Sequence, residues 1–439
     1  MVSTKKGQEM YDIARRLIPG GTQLLSKRPE MFLPDGWPSY YAAASGITVT
    51  DLDGNTYRDF AIGGVGATVL GYADQCVDNA VKAAIEQGSM STLNAPEEVV
   101  LAERLTDLHP WADMARFSRA GGEAMAVAVR IARTHARRAT VAVCGYHGWH
   151  DWYLSANLAK DDALDGHLLP GLDPAGVPRG LEGLTRPFQY NDIDTLNSIV
   201  SGCGDDLAAI VMEPASDSDP DAEFVKGVRE IANQTGAVLI FDEITSGFRL
   251  TTGGLHLTLG VDPDIAVFAK ALGNGYPISA IIGRREIMQA AQNTFISSTS
   301  WTERIGPAAA LAVLNKFEKE MISDHLIEIG QRVKQVWLEA ADHTGLKVAV
   351  SGLDPLAHLE FLGDSAPAQR TLFTQEMLGR GFLAGPAFYA MAAHMPDDVA
   401  DYADACREVF GLIASAASTG SIEGRLRGPV AHSGFKRLT

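Results

Sequence analysis

One lysine, Lys270, occurs where its amine could act as a nucleophile. It follows the apolar run 265–269, and Gly273, Gly275 and Pro277 predict a turn directly after it. An arbitrary lysine in this position would be solvated, because lysines are rarely buried unless they are paired. Burial, however, disfavours the charged ammonium, so the pKa falls and the amine can attack carbonyl carbons. The rest of the sequence must decide between a surface lysine and a Schiff-base lysine.

Polar residues also follow three other short apolar runs. These are Tyr146 and His147 after 140–144, Glu213 after 207–212 and Asp242 after 237–241. Ligands of parallel sheets bind beyond the carboxyl ends of the strands, so these side chains are expected near Lys270. A buried carboxylate such as Asp242 needs a positive partner. Pyridoxal phosphate would supply one, since its ring nitrogen pairs with a carboxylate and its aldehyde condenses with a lysine.

A phosphate group would need backbone N–H groups at the start of a helix. Gly121 and Gly122 precede the strongly helical run 123–138, and two glycines permit close approach of a ligand to the backbone. An ordinary glycine turn before a helix is the alternative interpretation of the same residues.

The elements that must position these residues alternate between strand and helix from about 110 to 300, which predicts a largely parallel α/β sheet. Asp53-Gly54-Asn55 predicts a hairpin within 46–60. Helical spacing predicts the segments 7–17, 75–87, 96–108, 223–234 and one long helix 307–341. We expect an N-terminal segment at 1–60, a large domain at 61–315 and a C-terminal small domain at 316–439, with a peripheral tail from Ser418.

Composition limits the possible functions. The 439 residues carry a formal charge of −17, which argues against nucleic acid as a partner. The four cysteines contain no CxxC pair, and His147 and His150 have no third ligand in view, so no metal is predicted. No signal peptide and no run of 18 apolar residues is found, so we expect a cytoplasmic protein without membrane spans.

Taken in order, these motifs resemble the class III aminotransferases, which are fold-type I pyridoxal phosphate enzymes. The segments that carry the resemblance are 120–124, 146–148, 213–214, 241–249 and Lys270 with Gly273 and Pro277. The glutamate-1-semialdehyde aminomutase branch is the most similar. The resemblance covers residues 18 to 410 and implies a large domain with a mainly parallel seven-stranded sheet flanked by helices. A smaller α+β domain would come from the N- and C-terminal segments.

The resemblance also implies roles for individual residues. Lys270 would form the internal aldimine and then move a proton between the substrate and the cofactor. Asp242 would pair with the pyridinium nitrogen, and Tyr146 would stack on the ring. Gly121 and Gly122 would bind the phosphate through their N–H groups.

Further cofactor contacts are expected from the same family pattern. Glu213 would hydrogen-bond near the cofactor, Ile244 would contact it, and His147 would either support the site or simply be packed beside it. Thr302, five residues before Pro307, would reach the phosphate of the neighbouring subunit, which implies a homodimer with shared active sites. Thr299 is the alternative for this role.

Departures from the family pattern concern the substrate. Ala120 and Gly122 replace a serine and a threonine in the phosphate loop, and Ser218 replaces an asparagine near the cofactor. Arg28, or Lys27 beside it, would hold a substrate carboxylate, and Tyr389 replaces a glutamate of the aminomutases. The departures in the two substrate-contacting regions, around Arg28 and at Tyr389, argue against glutamate-1-semialdehyde as the substrate.

The predicted activity is amino transfer between an amino donor and a keto or aldehyde acceptor by a ping-pong mechanism through Lys270. An intramolecular aminomutase and a racemase or epimerase are the alternatives within enzymes. A non-catalytic relative that binds the cofactor is disfavoured, because Lys270 and Asp242 are both present. The expected partners are therefore small amines and carbonyl compounds.

Overall fold

The computed structural model describes residues 4–160, 162–165, 167, 171–215, 221–420 and 422–433. The chain divides into two compact units, Gln75–Ser323 and a discontinuous unit formed by Met1–Asp74 and Asp324–Thr439. The sequence placed the limits of the central domain at residues 61 and 315.

The strands of the described residues, in chain order, are β1 Tyr41–Ser45, β2 Thr48–Asp51, β3 Thr56–Phe60, β4 Met114–Ser118, β5 Thr140–Cys144, β6 Thr185–Pro187, β7 Leu207–Met212, β8 Val238–Asp242, β9 Ile265–Phe268, β10 Ser279–Gly283, β11 Val348–Ser351, β12 Leu356–Phe361, β13 Phe382–Ala384 and β14 Ala387–Tyr389.

The α-helices of the same residues are α1 Lys5–Leu17, α2 Gly63–Gly66, α3 Gln75–Glu86, α4 Pro96–Leu108, α5 Gly121–Ala136, α6 Asp151–Leu154, α7 Ile193–Cys203, α8 Ala222–Thr235, α9 His256–Leu259, α10 Arg285–Met288, α11 Ile305–Lys319, α12 Ile322–Thr344, α13 Ala366–Leu378, α14 Pro396–Ser418 and α15 Ile422–Arg425.

The unit Gln75–Ser323 is built on a seven-stranded sheet with the order β4-β10-β9-β8-β7-β5-β6. The neighbouring pairs from β9 to β6 are parallel, and β10 is antiparallel to both β4 and β9. The predicted mainly parallel seven-stranded sheet is confirmed. Its parallel strands deliver their carboxyl ends to one edge, where ligands of such sheets bind.

Alternate residues of the central strands enter two separate cores. Val141 and Val143 of β5 pack in one core with residues of α5, whereas Ala142 and Cys144 pack in the other with residues of α7 and α8. Helices therefore cover both faces of the sheet, which explains why the strands are continuous apolar runs without polar alternation.

The discontinuous unit contains two smaller sheets, with the orders β1-β2-β3-β13 and β11-β12-β14. The predicted hairpin is present as the antiparallel pair of β2 and β3. β3 also pairs in parallel with β13, so this sheet joins the N-terminal and C-terminal parts of the chain.

The prediction of one long helix at 307–341 is wrong. The helix α11 ends at Lys319, and α12 begins at Ile322 after Glu320 adopts an extended conformation (φ −125°, ψ 147°). No glycine or proline marks this break. Phe317 and Ile322 are both buried, so the apolar pattern gave no sign that the chain turns between them.

The residues Arg425–His432, here named the C-terminal strap, belong to the tail that was expected to be peripheral. Most of them are exposed or half-buried, and buried side chains of α13 hold them. The Thr371 hydroxyl accepts from the Ala431 N–H at 3.0 Å, and Gln375 bonds the backbone of Arg425 and Arg427. The His432 N–H donates to the Glu30 carbonyl at 2.7 Å. The strap therefore connects α13 to the N-terminal part of the same unit.

Among the described residues, no helix is both long enough and apolar enough to span a membrane.

Candidate active site

Lys270 lies at the start of a single 3-10 turn, Lys270–Gly273, immediately beyond β9. Its φ of +45° is in the left-handed region that residues with a side chain rarely adopt, and such backbone strain is concentrated at functional sites. The Nζ atom donates to the Thr245 hydroxyl at 2.9 Å. Burial lowers the pKa of the Lys270 ammonium, although the charges of Glu213 and Asp242 oppose this shift.

Asp242 ends β8 and is 3% exposed. Its Oδ2 lies 2.8 Å from Nδ1 of His147, and its Oδ1 accepts from the Ile244 N–H at 3.1 Å. Since a carboxylate only accepts, Nδ1 of His147 carries the hydrogen of this bond. A carboxylate has about four acceptor positions, so Asp242 keeps acceptor capacity for another donor.

His147 is 1% exposed and its ring is parallel to that of Trp152, with 6.2 Å between the centroids. Its Nε2 is buried without a hydrogen-bond partner among the described residues. His147 is thus packed against Trp152 and also bonds Asp242.

Glu213 directly follows β7 and holds the turn that precedes Tyr146. Its Oε2 accepts from the Tyr146 N–H at 3.0 Å. Gly145 has φ +106°, and a Cβ there would lie 2.6 Å from Oε2 of Glu213, so the turn requires glycine. Burial, and then the charge of Asp242, raises the pKa of the Glu213 carboxyl to about 7.

Tyr146 is half-buried and packs against the core on the α5 side of the sheet. Its ring meets that of Tyr153 edge to face, with 6.0 Å between the centroids. The Tyr153 hydroxyl donates to the Gly145 carbonyl at 2.9 Å, which fixes the same turn from a second side. Burial raises the pKa of the Tyr146 phenol, with Asp242 and Glu213 acting in the same direction.

Gly121 and Gly122 are the first two residues of α5, where helix geometry leaves backbone N–H groups without intrahelical acceptors. A Cβ at Gly121 would lie 2.9 Å from Cδ1 of Ile244, and one at Gly122 would lie 3.0 Å from Nδ1 of His150. Side chains of Ile244 and His150 therefore pack closely against the two glycines at this helix start. Ile244 contacts the helix start and also donates its N–H to Asp242.

Thr302 ends the 3-10 turn Thr299–Thr302 and is exposed. Its hydroxyl donates to the Thr299 carbonyl at 2.9 Å. Thr299, the alternative residue, is exposed as well.

Four predicted residues remain. Ser218 is outside the described residues. Arg28, Lys27 and Tyr389 belong to the discontinuous unit. In that unit Arg28 lies against the Gly20 turn, where a Cβ on Gly20 would be 2.5 Å from its Nη2, and Tyr389 lies on β14 with its N–H donating to the Ala61 carbonyl at 2.8 Å.

Thr245 and a buried histidine network were missed by the sequence analysis. Thr245 lies within the motif 241–249, but only the fold brings its hydroxyl to Lys270. Oε1 of the next acid in the motif, Glu243, accepts from both the backbone N–H and Nδ1 of His256, at 2.9 and 2.8 Å. His256 Nε2 in turn accepts from Trp111 at 2.9 Å, so the loop after β8 is fixed by residues distant in sequence.

These residues fit pyridoxal phosphate. A helix start with two closely packed glycines suits a phosphate, a buried carboxylate with acceptor capacity suits the ring nitrogen, and an amine of lowered pKa suits the aldehyde. Among the described residues, no group of three or more His, Cys, Asp or Glu side chains could hold a metal ion.

Comparison with known proteins agrees with this chemistry. Residues 35–387 match the family model of the class III aminotransferases. The chain is 30% identical over 416 residues to the 3-aminobutyryl-CoA aminotransferase of Cloacimonas acidaminovorans (strain Evry), covering 92% of this chain and 96% of that protein. It is 32% identical over 426 residues to the glutamate-1-semialdehyde 2,1-aminomutase of Methanosarcina acetivorans, covering 91% and 96%.

A solved structure shares the fold over nearly the whole chain. The FumI protein of Sphingopyxis sp. MTA144, solved in its PLP internal aldimine form, superposes with a TM-score of 0.85 at 25% identity. The match covers 94% of this chain and 97% of that one.

The fold and these matches define a fold-type I pyridoxal phosphate enzyme. More narrowly, the chain belongs to the class III aminotransferase family, and its cofactor is pyridoxal phosphate.

Proposed function

We propose that Lys270 binds the cofactor and moves protons in a two-stage amino transfer, from an amine donor to a ketone or aldehyde acceptor. The proposal also places the enzyme in the cytoplasm as a homodimer with shared active sites. The observation that supports this proposal is the position of Lys270 just beyond a strand end. Its Nζ donates to the Thr245 hydroxyl, and the pKa of its ammonium is lowered by burial and raised by the charges of Glu213 and Asp242.

Pyridoxal phosphate, when bound, supplies a carbonyl carbon for the amine and a ring that withdraws electrons. Lys270 has a lowered pKa, so its neutral amine is accessible as a base that takes a proton from the substrate carbon. Asp242 would accept a hydrogen bond from the ring nitrogen of the cofactor, and His147 would keep that carboxylate in one orientation. Glu213 fixes the turn before Tyr146, whose ring would cover the cofactor ring.

The phosphate is assigned to the start of α5. Gly121 and Gly122 would donate their N–H groups, and Ile244 would shape the adjoining wall. Thr302, which is exposed, would turn its hydroxyl from the Thr299 carbonyl to the phosphate of the partner protomer. Because Ala120 and Gly122 have no hydroxyl groups, the backbone and Thr302 would carry more of this binding than in relatives with serine and threonine.

For the substrate, we assign Arg28 to a carboxylate and Tyr389 to selectivity. A planar guanidinium binds a carboxylate through two parallel hydrogen bonds, which makes Arg28 a better choice than Lys27. Separate donor and acceptor molecules are favoured over isomerisation of glutamate-1-semialdehyde, because the family resemblance implies that Tyr389 replaces a glutamate of the aminomutases.

The test is half-reaction spectroscopy. Protein reconstituted with pyridoxal phosphate should show a visible absorbance that one amine donor removes and one carbonyl acceptor restores. Lys270→Ala should lack this cycle, whereas Lys226→Ala, at an exposed lysine paired with Glu223, should keep it. Turnover of a single amino-aldehyde without a donor would support the aminomutase instead, and inversion of an amine without transfer would support a racemase. A wild-type protein whose absorbance responds to no amine would refute the proposal.

A further inference from the structure

Arg119 links the start of α5 to the turn that contains Thr302. It lies between β4 and α5, and its side chain is 13% exposed. Its Nη2 donates to the carbonyls of Trp301 and Glu303, both at 2.8 Å, and its Nη1 donates to the Ser118 carbonyl at 3.0 Å. One guanidinium therefore holds the backbone on both sides of Thr302.

Glu303 strengthens this link. Its Oε1 lies 2.8 Å from Nε of Arg119. Its carboxylate also accepts from the N–H groups of Ile305 and Gly306, at 2.6 and 3.0 Å, which caps the start of α11. The turn that contains Thr302 is thus fixed to α11 through Glu303 and to the start of α5 through Arg119.

The other end of the link is the proposed phosphate site. Arg119 is two residues before Gly121, and its own N–H donates to Oε2 of Glu123 at 3.0 Å. Glu123 lies in the first turn of α5. A shift of the Arg119 backbone would therefore move the helix start that contains Gly121 and Gly122.

We propose that Arg119 is a positioning residue that couples the two phosphate sites of a homodimer. The helix start would bind the phosphate of its own protomer, and the Thr302 turn would bind the phosphate of the partner protomer. Arg119 would hold these two elements in one fixed arrangement. This inference rests on the proposed role of Thr302. Arginine is required because its planar group donates to several carbonyls at once, which the single ammonium of lysine cannot reproduce in the same geometry.

The first test measures cofactor affinity by equilibrium dialysis of the apoprotein with pyridoxal phosphate. Thr302→Ala should weaken binding about tenfold through loss of a charge-assisted hydrogen bond. Arg119→Gln should weaken cofactor binding by a similar factor, and Arg119→Lys should bind the cofactor almost as weakly as Arg119→Gln. The double variant should bind more weakly than Thr302→Ala alone, but by less than the product of the two single losses, because the two changes share the Thr302 interaction.

Arg116→Gln is the matched control. Arg116 lies on β4, three residues before Arg119, and its Nη2 likewise donates to a backbone carbonyl, that of Ile296, at 2.9 Å. Its loss should leave cofactor affinity unchanged. If Arg116→Gln weakens binding as much as Arg119→Gln, the effect is general loosening and the proposal is wrong.

The second test asks which active site is damaged, using mixed dimers in which only one protomer retains Lys270 and the other carries Lys270→Ala. Borohydride reduction then reports the cofactor bound to that one lysine. Arg119→Gln should lower cofactor occupancy of the intact lysine whichever protomer carries it, through the helix start in the same protomer and through the Thr302 turn in the protomer without Lys270. A loss confined to Arg119→Gln in the same protomer as the intact lysine would overturn the coupling.

The outcomes separate this inference from the function on which it rests. If Thr302→Ala does not change affinity while Arg119→Gln does, Arg119 acts directly and the coupling is refuted, although amino transfer stands. If neither variant changes affinity, the coupling is refuted as well. Failure of the wild-type protein to respond to any amine would instead refute the proposed function.

Discussion

His147 and Asp242 form a buried pair at the ends of two parallel strands, with Nδ1 of the imidazole 2.8 Å from Oδ2 of the carboxylate. The side chains are 0% and 3% exposed, so little water can replace either partner. The pair fixes the orientation of the carboxylate that we assign to the cofactor ring nitrogen, and it fixes the proton of His147 on Nδ1.

Replacing His147 by alanine should therefore lower kcat about 10- to 100-fold, because a hydrogen bond to a charged group contributes about 1.5 to 3 kcal/mol. The visible spectrum of the bound cofactor should also shift as its ring nitrogen loses a correctly oriented acceptor. Steady-state kinetics and absorbance measure both effects. His135→Ala, at an exposed position on α5, is the control, and equal losses in the two variants would contradict the assigned role.

Glu213 should make stability depend on pH. Its carboxyl titrates near 7 in the folded chain and near about 4.3 when unfolded, so the folded state binds the extra proton between these values. Stability due to this group is therefore greatest at acid pH and falls as the pH rises towards 7. Glutamine cannot ionise but can still accept from the Tyr146 N–H.

We accordingly expect apoprotein with Glu213→Gln to melt about 2 °C above wild type at pH 8, corresponding to about 1 kcal/mol, and to match it at pH 5. Differential scanning calorimetry at the two pH values tests this expectation. Wild type melting above the variant at pH 8 would show that the ionised carboxylate is stabilising after all.

His256 should be essential for the stability of the unit Gln75–Ser323. It donates twice to Glu243, which is completely buried, and these bonds lower the pKa of that carboxyl despite its burial. His256→Leu should cost about 3 to 5 kcal/mol, since it removes a partner from a buried charge. Urea unfolding followed by tryptophan fluorescence measures the loss. His343→Leu, at an exposed histidine, should change the midpoint little, and a similar midpoint for both variants would contradict the prediction.

The C-terminal strap should stabilise the discontinuous unit through Thr371. Thr371→Val leaves the buried Ala431 N–H without its acceptor and should cost about 1 to 3 kcal/mol. Thr344→Val is a close control, because both hydroxyls donate to the carbonyl four residues earlier, at 2.8 Å for Thr371 and 2.7 Å for Thr344. Hydrogen exchange at Ala431 should accelerate only in Thr371→Val. Unchanged protection there would mean that the strap is held without this bond.

Much of the central unit could be predicted because its signals are local. The strands around Val141, Ile210 and Leu239 are continuous apolar runs, and the chemistry-bearing residues follow them directly. The parallel sheet then brings Asp242 and Lys270 to one edge, as the strand-end rule predicts. The hairpin at Gly54 was equally clear, because its turn residues act on their immediate neighbours.

The contacts that could not be predicted join residues far apart in sequence. Nothing in the sequence around Arg119 indicates that its guanidinium reaches the carbonyls of Trp301 and Glu303. The break between α11 and α12 was missed because no glycine or proline marks it, and Phe317 and Ile322 on its two sides are both buried. Such features depend on which backbone groups meet after folding, and no local pattern of residue types encodes them.

The parallel pairing of β3 with β13 has a consequence for synthesis of the chain on the ribosome. Arg58 pairs with Phe382, so more than 300 further residues must be synthesised before β3 can pair with β13 and complete this sheet. The strap, including the bond from His432 to Glu30, forms later still. The unit Gln75–Ser323 is one contiguous segment and can fold first, while one edge of β3 stays unpaired until residues 382–384 have been synthesised.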